Sequence, residues 1–166
     1  VASLKDNDLL RFSPAAGTTW FRFNTANAPF ENQKMRQAFS YAIDRKAIVE
    51  HITQGNQKPA TGIVPPVLGL SKNDFFEDHN VTKAWQLFQE ALIEMKVERD
   101  QLPLISLCYR AGDRNHKIAQ AVQQQWKEAF NIEIKLESCE SKSFYEKISV
   151  GNYQISAGSW FADFAD

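Results

Sequence analysis

The chain has 166 residues, enough for one domain, and 43% of them are hydrophobic, enough for a real core. With 19 basic and 20 acidic residues the net charge is -1, so no basic field favours nucleic acid and no polybasic run favours a membrane surface. No apolar run approaches the roughly 18 residues of a membrane span. In chain order, residues 1–18 form a polar lead-in that ends in the turn-rich Ser13-Pro14-Ala15-Ala16-Gly17. Residues 20–24, WFRFN, have strand propensity. Pro29 breaks the run, because proline fixes φ and biases its predecessor away from the helical region.

Asn32 reads as the N-cap of a helix with Met35, Phe39, Ala42 and Ile43 along one face. Asp44 reads as a second N-cap, with Ile48, Val49 and Ile52 facing inward and Gly55 as the stop. Residues 57–73 carry Pro59, Gly62, Pro65, Pro66 and Gly69, which excludes regular structure for most of that connection and predicts a packed extended segment. Residues 80–96 have the 3.6 period through Ala84, Leu87, Phe88, Ala91, Leu92 and Met95, with Asn80 or Thr82 as the cap.

From there the chain alternates. Residues 102–110 read as a buried strand, and residues 114–130 as a helix with Ile118, Ala121, Val122, Trp126 and Phe130 inside. Residues 131–137 read as a second strand. Residues 141–150 read as a short helix opened by Ser141, burying Phe144, Tyr145 and Ile148. Residues 153–160 read as a third strand. Strand-helix-strand-helix-strand implies a parallel sheet. The strand ends after Arg110, Glu137 and Trp160 then share one edge, where open α/β sheets hold their ligands. Residues 109–115 and 159–163 are the expected functional rim. No Gly-rich phosphate loop follows a strand.

The last segment, GSWFADF, places Trp160 and Asp163 just past a buried strand. An extended peptide needs a strand-like edge for its backbone and a negative partner for its free amine. That amine titrates near 7.7 to 8.0 in model compounds, so beside an enclosed carboxylate it stays charged. Two other sets of residues predict no chemistry. Cys108 and Cys139 either pair across neighbouring strands or remain small thiols. His51, His79 and His116 lack metal-ligand spacing. A hydrolase is a rival class, but it requires a nucleophile with a base in reach. The chain offers no Gly-x-Ser-x-Gly elbow and no Cys with an obvious His partner.

Residues 20–52 carry a family likeness: a strand ending in Asn24, then Pro29-Phe30, Asn32, Met35-Arg36-x-Ala38 and Ala42-Ile43-Asp44-Arg45-x-x-Ile48. In that order they resemble the solute-binding proteins of bacterial ABC importers, the family that carries oligopeptides, dipeptides and nickel chelates. The resemblance covers essentially the whole chain, and it implies a periplasmic-binding-protein type II-like α/β lobe, a mostly parallel sheet flanked by helices. Residues 1–166 are then a single domain, a partial C-terminal (distal) lobe of a larger two-lobed protein. The chain opens on Val1 without a leader and closes on SWFADFAD, and the expectation is a segment cut at both ends.

The resemblance also implies a function. Peptide-binding members have a Trp-x-x-Asp whose Asp pairs with the peptide amine and whose adjacent backbone bonds the peptide main chain. Trp160 and Asp163 match it, with Phe161 and Ala162 as spacers and Ser159 just before. Some relatives put basic or His side chains near the peptide carboxylate. Ala157 and Asn115 do not suit that role, and Arg110 and Arg114 are the candidate substitutes, because a guanidinium pairs a carboxylate bidentately. The implied protein is a non-enzymatic, periplasmic or extracytoplasmic monomer, with or without a lipid anchor. It needs no cofactor, binds no nucleic acid, and delivers oligopeptides to an ABC permease in the inner membrane. The alternative within the family is a carrier of nickel chelate, haem or another non-peptide solute. Half a cleft is expected to bind peptide weakly by itself.

Overall fold

Side chains at the helix starts supply bonds that the helices cannot make for themselves. In the computed structural model, which describes residues 12–69 and 74–163, Asn32 accepts from the Met35 amide at 3.0 Å and opens α1 (Gln33–Tyr41). Asp44 accepts from the Ala47 amide at 2.7 Å and opens α2 (Arg45–Ala47). Asn80 accepts from the Lys83 amide at 2.9 Å and opens α3 (Val81–Met95). The readings of residues 1–11, of residues 70–73 in the Pro/Gly-rich connection, and of Phe164 lie outside the described residues.

Two local expectations change. After α2 the chain widens into a π-helical turn, Ile48–Thr53, which ends at Gln54 rather than Gly55. Gln54 has φ 49° and donates its N–H to the Val49 carbonyl at 3.0 Å. In α5 (Ser141–Ser149), Ser141 is the first helical residue, and Glu140 precedes it without a side-chain cap bond. The remaining helix, α4 (Asp113–Phe130), runs as expected.

The strands are β1 (Gly17–Phe23), β2 (Ile105–Arg110), β3 (Ile134–Cys139) and β4 (Ile155–Phe161). They form one sheet in the order β1-β4-β2-β3. β2 pairs in parallel with both β3 and β4, as the alternation of strands and helices predicts. β1 is the antiparallel member, in register with β4 from Gly17↔Phe161 to Phe23↔Ile155.

Successive strand residues point to opposite faces. Ile105, Leu107, Tyr109, Ile134 and Ile155 therefore project into one core, where they join Phe39, Phe88, Trp126 and Phe130 from α1, α3 and α4. The Phe130 ring stacks on Phe88 and Phe39 at centroid distances of 4.6 and 5.2 Å. Trp126 is fully buried, and its Nε1–H donates to the Phe39 carbonyl at 2.9 Å. Each such side chain contributes on the order of 1.5–3 kcal/mol by leaving water.

The other sheet face carries Cys108 and Ser156 and is covered by α5, which buries Phe144. Tyr145, expected inside, is 58% exposed. It lies one residue, about 100° of helical turn, beyond Phe144, and a short helix on a sheet buries only one stripe.

Candidate ligand-binding rim

The parallel strands place the ends of β2, β3 and β4 at one edge: Arg110, Cys139 and Phe161. β1 runs the other way, so its first residue, Gly17, joins them beside Phe161. The ring of Phe161 lies across Gly17, where any Cβ would overlap its edge. Beyond β4, the Ala162 amide donates to the Ala16 carbonyl at 2.7 Å. That bond ties the start of the Asp163 turn to the segment before β1.

β4 is bonded unequally along its two sides. Toward β1 its pairing is continuous over Gly17–Phe23. Toward β2 the pairing stops at Leu107↔Ile155 and Cys108↔Ser156. From Ala157 onward, the β4 edge that faces β2 has no strand against it among the described residues. This leaves a row of backbone donors and acceptors without a ladder partner at the carboxyl edge, next to the predicted ligand residues.

The six candidate residues fall on this rim and all are exposed. Trp160 and Phe161 are 62% and 63% exposed, unusual for large aromatic side chains, and they point to opposite faces of β4. Ser159 precedes them, and Asp163 follows in the turn. Arg110 ends β2, and Arg114 sits in the first turn of α4. Arg110 and Arg114 thus belong to the end of β2 and the start of α4, and Asp163 to the segment past β4.

The turn from β2 into α4 is held by several bonds. The Ala111 amide donates to the Cys139 carbonyl at 2.8 Å, and Asn115 Nδ2 donates to the Arg110 carbonyl at 2.9 Å. Gly112 has φ 149°, a backbone region that side chains disfavour. Tyr109 Oη lies 2.6 Å from His116 Nδ1, and burial pushes the Tyr109 hydroxyl pKa up. The Arg110 guanidinium lies 6.0 Å from the centroid of the Tyr145 ring. Tyr145 and Gly17 are rim residues that sequence reasoning missed, and Asn115, within the expected rim, bonds the backbone of the turn. A tyrosine beside the buried face of α5 and a glycine at a strand start were the available signals.

Behind the rim, Glu137 accepts from Lys147 at 2.6 Å and pairs with Lys135 at 3.0 Å. The Lys147 hydrogen bond, followed by weaker contributions from Lys135, holds the Glu137 carboxyl pKa below its usual range. The same contact raises Lys147. Among the described residues no group of three His, Cys, Asp or Glu side chains is arranged to hold a metal ion. No described helix is long and apolar enough to cross a membrane. A surface groove beside the π-helical turn, lined by Lys46, Glu50, Gln54 and Lys58 among others, shares no residue with the rim.

Comparison with known proteins gives the class of this α/β sheet and its open, aromatic carboxyl edge. Residues 1–166 match the family described as bacterial extracellular solute-binding proteins, family 5 Middle, and the chain belongs to that family. It is 37% identical over 168 residues to the oligopeptide-binding protein OppA of Bacillus subtilis (strain 168), covering 99% of this chain and 31% of that protein. It is 38% identical over 110 residues to heme-binding protein A of Haemophilus influenzae, covering 64% of this chain and 20% of that protein. A solved periplasmic oligopeptide-binding protein from Borrelia burgdorferi superposes with a TM-score of 0.83 at 29% identity, over 92% of this chain and 30% of that one. The chain spans about 31% of the length of its Bacillus subtilis relative.

Proposed function

We propose that this chain forms part of the distal, C-terminal lobe of a peptide carrier, and that its rim holds an extended peptide with a free amino terminus. One observation carries the reading. The carboxyl half of β4 has an open backbone edge and ends in exposed Trp160, Phe161 and Asp163. A peptide main chain satisfies such an edge by strand addition, whatever its side chains. Trp160 lies against the peptide, Phe161 braces the end of β4 against Gly17, and Asp163 pairs with the amine. Arg110 and Arg114 take the carboxylate of a peptide a few residues long. The second lobe, supplied by the rest of the protein, excludes water and so strengthens the charge pairing.

The likeness to an oligopeptide-binding protein supports this assignment. The whole protein then works as a monomer outside the cytoplasm, delivers peptides to an ABC permease, and alters no bond in its cargo. A second reading has its own support. Two exposed aromatic rings suit a flat apolar solute, and a heme-binding protein is among the relatives.

Calorimetry on the full-length protein separates the two. The first reading predicts binding of tripeptides and tetrapeptides, and loss of affinity when their amines are acetylated. Equal affinity for free and acetylated peptides, or haem binding without peptide binding, would count against it. Peptide cleavage products seen by mass spectrometry would contradict a carrier role.

A further inference from the structure

Cys108 and Cys139 are the two cysteines of the chain. Both are free thiols, and their sulfurs lie 3.5 Å apart. They stand on adjacent parallel strands, with Cys108 opposite Glu137 and Cys139 opposite Arg110. They are therefore diagonal neighbours, on the sheet face that α5 covers. Cys108 is buried and Cys139 is partly exposed. Peptide binding as described above uses neither sulfur.

We propose that Cys108 and Cys139 are a disulfide-forming site that cross-links β2 to β3 directly behind the rim, with a disulfide-bearing small molecule or protein as the oxidant. The sulfurs must close from 3.5 Å to about 2.05 Å. Exposure sets the order of events. Cys139 loses its proton and attacks one sulfur of the donor disulfide, whose S–S bond breaks and whose other half leaves as a thiolate. Cys108 then loses its proton and attacks the Cys139 sulfur of the mixed disulfide, expelling the second donor thiolate. The two protons end on the two departing donor thiolates. Two protein thiols are oxidised, and one donor disulfide is reduced to two thiols.

Cys108 is the slower partner. Burial, followed by its contact with Cys139, pushes its thiol pKa up to about 12, so little thiolate is present near neutrality. Proximity to the mixed disulfide offsets this, and closure accelerates as pH rises. The bond would enclose α4 and the turn carrying Arg110 and Arg114. It would lie beside the Ala111-to-Cys139 backbone bond that already pins that turn.

The inference stands on the two sulfurs and does not depend on which ligand the rim takes. The test uses the reduced full-length protein, incubated with oxidised glutathione, blocked with iodoacetamide and digested without reductant. Mass spectrometry is expected to find a peptide pair joined through Cys108 and Cys139, with neither sulfur alkylated. Tm is expected to rise by a few degrees, about 3–4 °C, over the reduced form, since a cross-link restricts the unfolded chain. Cys139→Ser and Cys108→Ala should each abolish the linked pair and the shift. Alkylation of both thiols, glutathione retained on Cys139, or a link between two chains would each overturn the proposal.

Discussion

The two ends of β4 behave as different materials. At Ile155 and Ser156 the strand is buried and paired on both sides. Five residues later, Trp160 and Phe161 stand mostly in solvent, with a neighbour on one side only. On the proposed reading the first half is scaffold and the second half is site, within one unbroken strand. Rigidity at one end fixes the direction of the other, so that aromatic and acidic groups are presented by an element that does not need to rearrange.

Substitutions should separate the two halves. Ile155→Ala removes a fully buried side chain between the core helices and the sheet. It should cost about 3 kcal/mol of unfolding free energy in urea titration. Peptide affinity, measured where the variant is still folded, should be little changed. Trp160→Ala should do the reverse: stability within about 0.5 kcal/mol, and peptide affinity lower by about 1–2 kcal/mol. If Trp160→Ala instead unfolds the protein, the division of β4 is wrong.

Glu137→Gln probes the polar cluster behind the rim, with an expected loss of about 1 kcal/mol at neutral pH. Lys147, its main partner, keeps the Glu137 carboxyl pKa in the folded state below the ordinary glutamate value of 4.5. The folded state therefore binds fewer protons than the unfolded one in that range. The contribution is complete above pH 4.5 and fades as pH falls through the lower folded pKa. Wild type should lose stability in acid more steeply than the variant. Parallel acid limbs in pH-dependent denaturation would contradict this.

What the sequence disclosed was mostly local. Asn32 and Asp44 announced two helix starts through chemistry that acts within three residues, and of the two caps offered for the third, Asn80 or Thr82, the structure uses Asn80. The apolar periods of α3 and α4 announced their buried faces. The order of strands and helices was enough to put Arg110 and Trp160 at one edge. The pairing of β1 with β4 was not legible, because it joins segments more than a hundred residues apart and leaves no local mark. The end of the β4–β2 pairing at Ser156, which leaves the backbone edge open, is likewise a tertiary property. Tyr145 shows the same limit at smaller scale: helical spacing placed it next to a buried residue, but only the sheet beneath α5 decides which stripe is covered. The widening of the chain at Ile48–Thr53 into a π-turn has no evident signal in its side chains.

The central claim is that Asp163 receives a peptide amine, and a calorimetric double-mutant cycle on the full-length protein tests it most directly. One tripeptide is titrated with its amine free and acetylated, into wild type and into Asp163→Asn. Each single change should weaken binding by about 2 kcal/mol, near 30-fold, and the two together should weaken it little further, because both remove the same ion pair. Additive losses, or an acetylation penalty that Asp163→Asn leaves unchanged, would show that the amine is held elsewhere and that Asp163 is a solvated loop acid.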